Sequence, residues 1–380
     1  MAPSKLSLFD LTRSTKGRGG MIGVGGLHRL RPVGSSRRCL HLRRRFQSRD
    51  NSRSKNKPIP GLSWVSVCAS SSDSEAAALA GKSDDAVSLE DVFGIKGSVR
   101  FEEGRGGLVK CVLTHVCGSS CEVYLYGANV LSWKQASGDE VLYCRPDSKF
   151  DKTKAISGGI PICFPQFGPG ELKQHGFARD TAWSVGATSA DYNPDDKDPC
   201  VELVLESSAE TKESGFQHDF RVSYSVTLHR ETLQTDFRVI NTGNEAFEFT
   251  AALHSYFEVA GVEKASVDGL GGLKYFDKIP DPNAPEEKVE KDKAVKFVGE
   301  TDRVYTSAPS EVILDVGTGA GVQIQNENWS DCVVWNPWTA MEACYKEFVC
   351  VENAKASEKV KLEANESWRA RADFSVIDLI

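Results

Sequence analysis

Between residues 158 and 180 the chain reads GGIPICFPQFGPGELKQHGFARD, a run too dense in Gly, Pro, Gln, His and Arg for an ordinary strand or helix. Gly and Pro set sharp backbone turns. Gln174, His175 and Arg179 therefore sit on a shaped loop that can turn an amide, an imidazole and a guanidinium toward one small polar ligand, as functional loops on a rigid scaffold do. The plain alternative is a tight loop whose polar side chains serve only its own backbone. It would suffice for a lone His-Gly pair and accounts poorly for the whole run.

Two other segments place single titratable residues among apolar ones. In TAALHSYFEV, residues 250–259, alternation sets Phe247, Phe249, Ala251, Leu253, Ser255 and Phe257 on one face, so His254 and Tyr256 share the other with Thr250 and Glu258. One face reads as core and the other as wet. A lone histidine on a strand is more often structural than chemical. In FVCVEN, residues 348–353, Glu352 keeps the parity of Phe348 and Cys350. An acid in that company is either a buried carboxylate held by an arginine or a backbone donor, or a base whose proton affinity is raised by desolvation. Asp302, in TDRVY, reads either as a turn cap before a strand or as a ligand.

These segments, with YGANVLSWK (126–134), GLGGLKYFDK (269–278) and VVWNPW (333–338), occur in an order that closely resembles the glucose-6-phosphate 1-epimerase family. These are the hexose-6-phosphate mutarotases of the aldose 1-epimerase superfamily, here in a plant plastid-type form. The resemblance runs from about Phe93 to the C-terminus. It implies an all-β fold, the galactose mutarotase-like β-supersandwich, and interconversion of the α and β anomers of a hexose 6-phosphate, glucose 6-phosphate first. It implies Glu352 as the base at the C1 hydroxyl and His254 as the acid at the ring oxygen, with no metal or redox cofactor. Gln174, His175 and Asp302 are then ligands of sugar hydroxyls, and Arg179 approaches the phosphate, whose oxygens suit a guanidinium fork. Trp335 and Trp338 are expected to support the pocket rather than react.

One position departs from the family pattern. Many members carry Arg immediately before GGIP, and this chain has Ser157 there. Lys152, Lys154 or Lys173 could supply the missing charge, but only as a point charge on a mobile stem. Reaction type is thus better determined than substrate. The competing reading from another class is a mutarotase-like carbohydrate-binding or structural subunit of a plastid complex without catalysis, since fold does not fix function.

The elements that must position these residues are strands. Phe220, Val222, Tyr224, Val226 and Leu228 alternate with polar residues, His229 to Thr232 supply a turn, and Leu233, Thr235, Phe237 and Val239 resume the alternation, which predicts a hairpin. Similar runs occur at CEVYLYG, VELVLES, SEVILDV, GVQIQ and WRARADFSV. Recurring strands with short turns and no convincing helical period predict a large antiparallel sandwich over residues 93–380. The Pro-rich, then charged stretch 279–293 reads as a surface loop.

Charge divides the chain. Residues 1–70 hold fifteen Lys/Arg against two acids, whereas the remainder holds 31 basic and 51 acidic residues. A basic, Ser- and Gly-rich, acid-poor start without an apolar core is the composition of an organelle transit peptide, expected over residues 1–69, with a linker at 70–92. The Val67-Cys68-Ala69 junction points to the chloroplast stroma, with the mitochondrion as runner-up. A nucleic-acid arm is the alternative for the RRCLHLRRR cluster, and the acidic remainder opposes it. No run reaches the roughly eighteen apolar residues of a membrane span. The eleven cysteines include no CxxC pair, and scattered thiols in a reducing compartment, Cys39 and Cys68 aside, are the expected state. The sequence names no protein partner.

Overall fold

The computed structural model describes residues 85–190 and 197–379; the transit-type segment, Cys39, Cys68 and most of the linker lie outside them. Within this range the period-two runs become three antiparallel sheets. One has four strands in chain order, Val99–Glu103, Val109–Thr114, Ser120–Tyr124 and Asn129–Lys134. The predicted hairpin forms as Phe220–Leu228 and Thr232–Asn241, closed by the His229 amide donating to the Thr232 carbonyl at 2.8 Å. It lies in a nine-stranded sheet beside Ser367–Asp378, whose buried face carries Ala370, Ala372 and Phe374 as the alternation requires.

The third sheet has eight strands and carries the candidate chemistry. They are β1 (Ile162–Cys163), β2 (Phe247–Leu253), β3 (Tyr256–Glu258), β4 (Lys274–Asp277), β5 (Glu286–Val289), β6 (Thr301–Thr306), β7 (Asp331–Asn336) and β8 (Phe348–Leu362). Their order is β5-β4-β6-β7-β8-β2-β1, with β3 also paired to β8. Because β8 is central, residues 348–354 are buried on both faces.

Phe164, which follows β1, lies within 5.4–6.2 Å of the rings of Phe249, Phe220, Phe216, Phe177 and Phe237. Phe249 belongs to the eight-stranded sheet, and Phe220 and Phe237 to the nine-stranded one. This aromatic knot joins the two sheets, and fully burying each such ring contributes about 1.5–3 kcal/mol. It also anchors the start of the 164–180 loop.

Two local expectations are corrected. Ala86–Phe93 is a helix that covers the end of the stretch read as linker and the first residue read as domain: Asp85 caps it by accepting from Ser88 N at 2.8 Å, Leu89 and Phe93 pack against the core, and Glu90 accepts from the Phe101 amide at 2.7 Å. Part of the 279–293 stretch is likewise not loop. Glu286–Val289 pairs with β4 as an edge strand whose exposed residues do not alternate in hydrophobicity. Among the described residues no helix is long and apolar enough to cross a membrane, and the nine cysteines are free thiols, six of them buried.

Gly176 fixes the end of the loop beside Phe164. Its φ is +70°, and a Cβ there would stand 2.1 Å from the Phe164 carbonyl oxygen. Gly176→Ala is therefore expected to cost about 2 kcal/mol or more, combining the left-handed backbone penalty with overpacking. Urea denaturation would register it as a lower midpoint with an unchanged slope; an unaltered midpoint would show that the loop is not held by this contact.

Candidate active site

Register across the eight-stranded sheet assembles the site. Leu253 pairs with Asn353 and Tyr256 with Cys350. The same register carries through the interruption between β2 and β3 and sets His254 opposite Glu352. Directly opposed side chains share a face. Here the His254 amide continues the pairing toward β1, donating to the Pro161 carbonyl at 2.9 Å, while Ser255 N turns from β8 to donate to the Leu253 carbonyl. Further across, Glu352 faces Val333, Cys350 faces Trp335, and Trp335 faces Asp302. Lys278, just past β4, donates its amide to the Asp302 carbonyl. One row thus runs Lys278, Asp302, Trp335, Cys350, Tyr256, and the next row holds Glu352 and His254.

The 164–180 loop lies over this face. Thr250 ties it down, its amide donating to the Pro165 carbonyl at 2.9 Å and its hydroxyl accepting from Phe167 N at 2.7 Å. His175, at φ +67°, brings its ring to 5.6 Å from that of His254. Lys278 Nζ sits 5.5 Å from the centre of the Phe167 ring and 3.3 Å from Asp302 Oδ2. Covered in this way, the face expected to be wet is largely dry. His254 is 8% exposed, Tyr256 6% and Glu352 2%.

His254 stacks on Tyr256 at 4.9 Å and meets Trp335 edge-on at 5.5 Å. Its Nδ1 lies 3.1 Å from Glu352 Oε1. The two meet as an electrostatic contact without hydrogen-bond alignment, so His254 Nδ1 has no hydrogen-bond partner among the described residues, and Glu352 Oε2, the oxygen outside this contact, has none there either. Burial drives both groups toward neutrality. It raises the Glu352 carboxyl well above the ordinary range, aided by Asp302 and opposed by Lys278 and Arg179. It lowers the His254 imidazole, aided by His175, Arg179 and Lys278. A protonated Glu352 with neutral His254 holds as many protons as a carboxylate with an imidazolium, so the pair exchanges one proton internally. Desolvation makes Glu352 the stronger base and protonated His254 the stronger acid.

His175 is a different case. Gly168 N donates to its Nδ1 at 3.2 Å, with Cys163 Sγ at the same distance, which leaves Nε2 to carry the proton. Burial, Arg179 and Lys278 push its pKa down to about 3. It is thus a fixed neutral donor. Arg179 donates Nη2 to the Gln174 carbonyl at 3.0 Å, and its buried Nε has no hydrogen-bond partner among the described residues. Gln174 is exposed and shapes the loop through that carbonyl. Asp302 is the second residue of β6, not a turn cap. Trp335 lines the site, whereas Trp338 packs on Tyr345 at 5.1 Å. Sequence reasoning placed Tyr256 with His254 and Cys350 with Glu352 by parity but gave neither a role, and it passed over Lys278, which carries no local signal.

His254, Cys350 and Glu352 offer donor atoms within 4.8 Å of one another, a set able to hold a metal ion. Burial raises the Cys350 thiol well above its ordinary value, which works against a metal thiolate.

The raised Glu352 carboxyl has a consequence for stability. Its proton affinity is higher folded than unfolded, so the pH-dependent part of its burial cost is absent below the ordinary carboxylate pKa of about 4.5 and grows as pH rises toward the folded value. Glu352→Gln removes that cost. The variant is expected to melt above the wild type, with a larger gain at pH 8 than at pH 5, each kcal/mol recovered giving about 2–4 °C in a domain this large. Thermal denaturation at the two pH values checks it; a gain independent of pH would mean that Glu352 is ionised in the folded protein.

With this geometry established, comparison with known proteins is direct. The family model described as Aldose 1-epimerase matches residues 110–375. A protein of Cenchrus ciliaris named "Putative glucose-6-phosphate 1-epimerase" is 37% identical over 286 residues, 71% of this chain and 85% of its own. A protein of Escherichia coli (strain K12) with the same name is 36% identical over 256 residues, 63% of this chain and 80% of its own. The crystal structure of a "putative mutarotase" from Salmonella typhimurium has a TM-score of 0.67 and 28% identity, covering 76% of this chain and 96% of that one. The fold is mutarotase-like, and the chain belongs to the aldose 1-epimerase family.

Proposed function

We propose that this protein interconverts the α and β anomers of a hexose 6-phosphate, glucose 6-phosphate foremost, by acid–base ring opening and reclosure. The observation that carries the reading is the 3.1 Å approach of His254 Nδ1 to Glu352 Oε1 on a covered sheet face. In the reactive state Glu352 is the carboxylate and His254 the imidazolium. Glu352 takes the proton of the C1 hydroxyl, the C1–O5 bond breaks as the C1 carbonyl forms, and His254 gives a proton to O5. Since Nδ1 faces Glu352, the other ring nitrogen, Nε2, serves O5. Rotation about C1–C2 turns the other face of the aldehyde inward, and reclosure reverses both transfers.

Ring opening ends with Glu352 protonated and His254 neutral, the arrangement that burial favours. The protein environment thus stabilises the open-chain stage. His175 Nε2–H and Asp302 supply a donor and an acceptor for sugar hydroxyls, and Arg179 approaches the phosphate. The two named relatives support the hexose phosphate as substrate. A carbohydrate-binding or structural role has no use for an unpartnered buried carboxyl beside an imidazole, a costly arrangement in a scaffold.

The chloroplast stroma is the compartment we infer, from the basic, acid-poor first 70 residues. These lie outside the described residues. N-terminal sequencing of the protein from isolated plastids is expected to find a chain beginning near residue 70; a chain beginning at Met1, or recovery from mitochondria alone, would refute the assignment.

The catalytic pair is tested by substitution. His254→Asn and Glu352→Gln are each expected to slow anomer exchange of glucose 6-phosphate by about 10²–10⁴-fold, with circular dichroism unchanged. Exchange NMR would measure it. Near-normal rates in either variant would remove that residue from the mechanism, and near-normal rates in both would favour the scaffold.

A further inference from the structure

The chain lacks the arginine expected at Ser157, and the three lysines considered as substitutes are poorly placed. Lys152 and Lys154 are exposed, and Lys173 is paired with Asp180. A different cation stands next to Ser157 across the backbone. Arg145 N donates to the Ser157 carbonyl at 3.0 Å, and the adjoining residues Cys144 and Gly158 form a β-bridge. Residues 145 and 157 are therefore directly opposed, with side chains on one face.

That face is the site's. Tyr143 shares the parity of Arg145; its amide donates to the Tyr256 carbonyl, and its ring stacks on Phe348 at 5.1 Å. Cys144, of opposite parity, lies instead against Arg105. The Arg145 guanidinium acts electrostatically on Tyr256 and Cys350, and Arg179 acts on the same Tyr256 hydroxyl, so the two cations bear on one point of the site. Asp147 engages Arg145 through Nε at 2.9 Å and Nη2 at 2.6 Å. This leaves Nη1 and its two donors free of that clamp. The Arg145 side chain is 16% exposed and Asp147 63%, so the aspartate braces the guanidinium from the solvent side.

We propose that Arg145 is a specificity-determining residue, supplying with Arg179 the second guanidinium that receives the sugar's phosphate in place of an arginine at position 157. The inference rests on the hexose phosphate reading above. An arginine moved to the directly opposed position keeps its planar fork within reach of the same anion, which a lysine could not reproduce.

The test compares anomer exchange of glucose 6-phosphate and free glucose, expressed as the ratio of their kcat/KM values. Arg145→Gln is expected to lower the ratio about ten- to a hundredfold, the worth of one charge-assisted hydrogen bond, and to act mainly through KM for the phosphate ester. Combining Arg145→Ser with Ser157→Arg is expected to restore most of the ratio, which a merely structural role for Arg145 would not allow. If Arg145→Gln leaves the ratio unchanged while Arg179→Gln collapses it, the proposal falls and the phosphate reading stands. An equal loss with both substrates, or failure of the exchanged pair to recover, assigns Arg145 a structural role and also overturns it. If the wild type does not favour the phosphate ester and neither arginine alters the ratio, the phosphate reading fails and takes this proposal with it.

Discussion

The contact between His254 and Glu352, made where water is largely excluded, is the constraint around which the described domain is arranged. Two ionisable groups in that position cannot both be charged without a large desolvation cost, and cannot both lose their protons without stranding an anion. The pair therefore settles on one proton to share and two neutral forms. Near them stand cations, Arg179 and Lys278, that moderate the rise in Glu352's proton affinity and deepen the fall in His254's. Asp302 tempers Lys278 at 3.3 Å. The balance keeps the carboxyl and the imidazole within one proton transfer of each other.

Holding that contact needs a rigid frame. Glu352 is carried on the central strand of the eight-stranded sheet, with neighbours paired on both sides, so its backbone has little freedom. His254 stands where β2 and β3 are interrupted; its amide keeps the bond to Pro161 on the β1 side, and it is the next amide, Ser255 N, that turns from β8 to Leu253. The register nonetheless resumes unchanged at Tyr256. The break at Ser255 thus leaves the histidine bonded on the β1 side and still opposite its partner. The aromatic knot around Phe164 secures the same loop at its root and joins two sheets. Its burial offsets the cost of a dry polar site.

Much of this was legible in the chain. Alternation located the strands and the hairpin at residues 220–241, because period two is a local property of any half-buried strand. Parity placed Glu352 with Phe348 and Cys350, and the Gly- and Pro-rich run between residues 158 and 180 declared itself a shaped loop. The helix Ala86–Phe93 and the strand Glu286–Val289 were not legible. The first is short and depends on a cap at Asp85 and on the packing of Leu89 and Phe93, and the second is a charged edge held by backbone pairing to one neighbour.

The sequence by itself determined the strand alternation, the loop chemistry and the acid–base residue types, since these depend on neighbours a few positions apart. Only the tertiary structure decided that His254 meets Glu352, that the loop shields the face from water, that Lys278 reaches Asp302, and that Arg145 stands opposite Ser157. The first three join residues 24 to 111 positions apart, while the last depends on how the intervening chain turns back on itself. Register and burial bring each set together, and neither can be read from local composition. Proton affinities follow the same division: a carboxyl and an imidazole have ordinary values in the chain, and desolvation shifts them only once folding has removed the solvent.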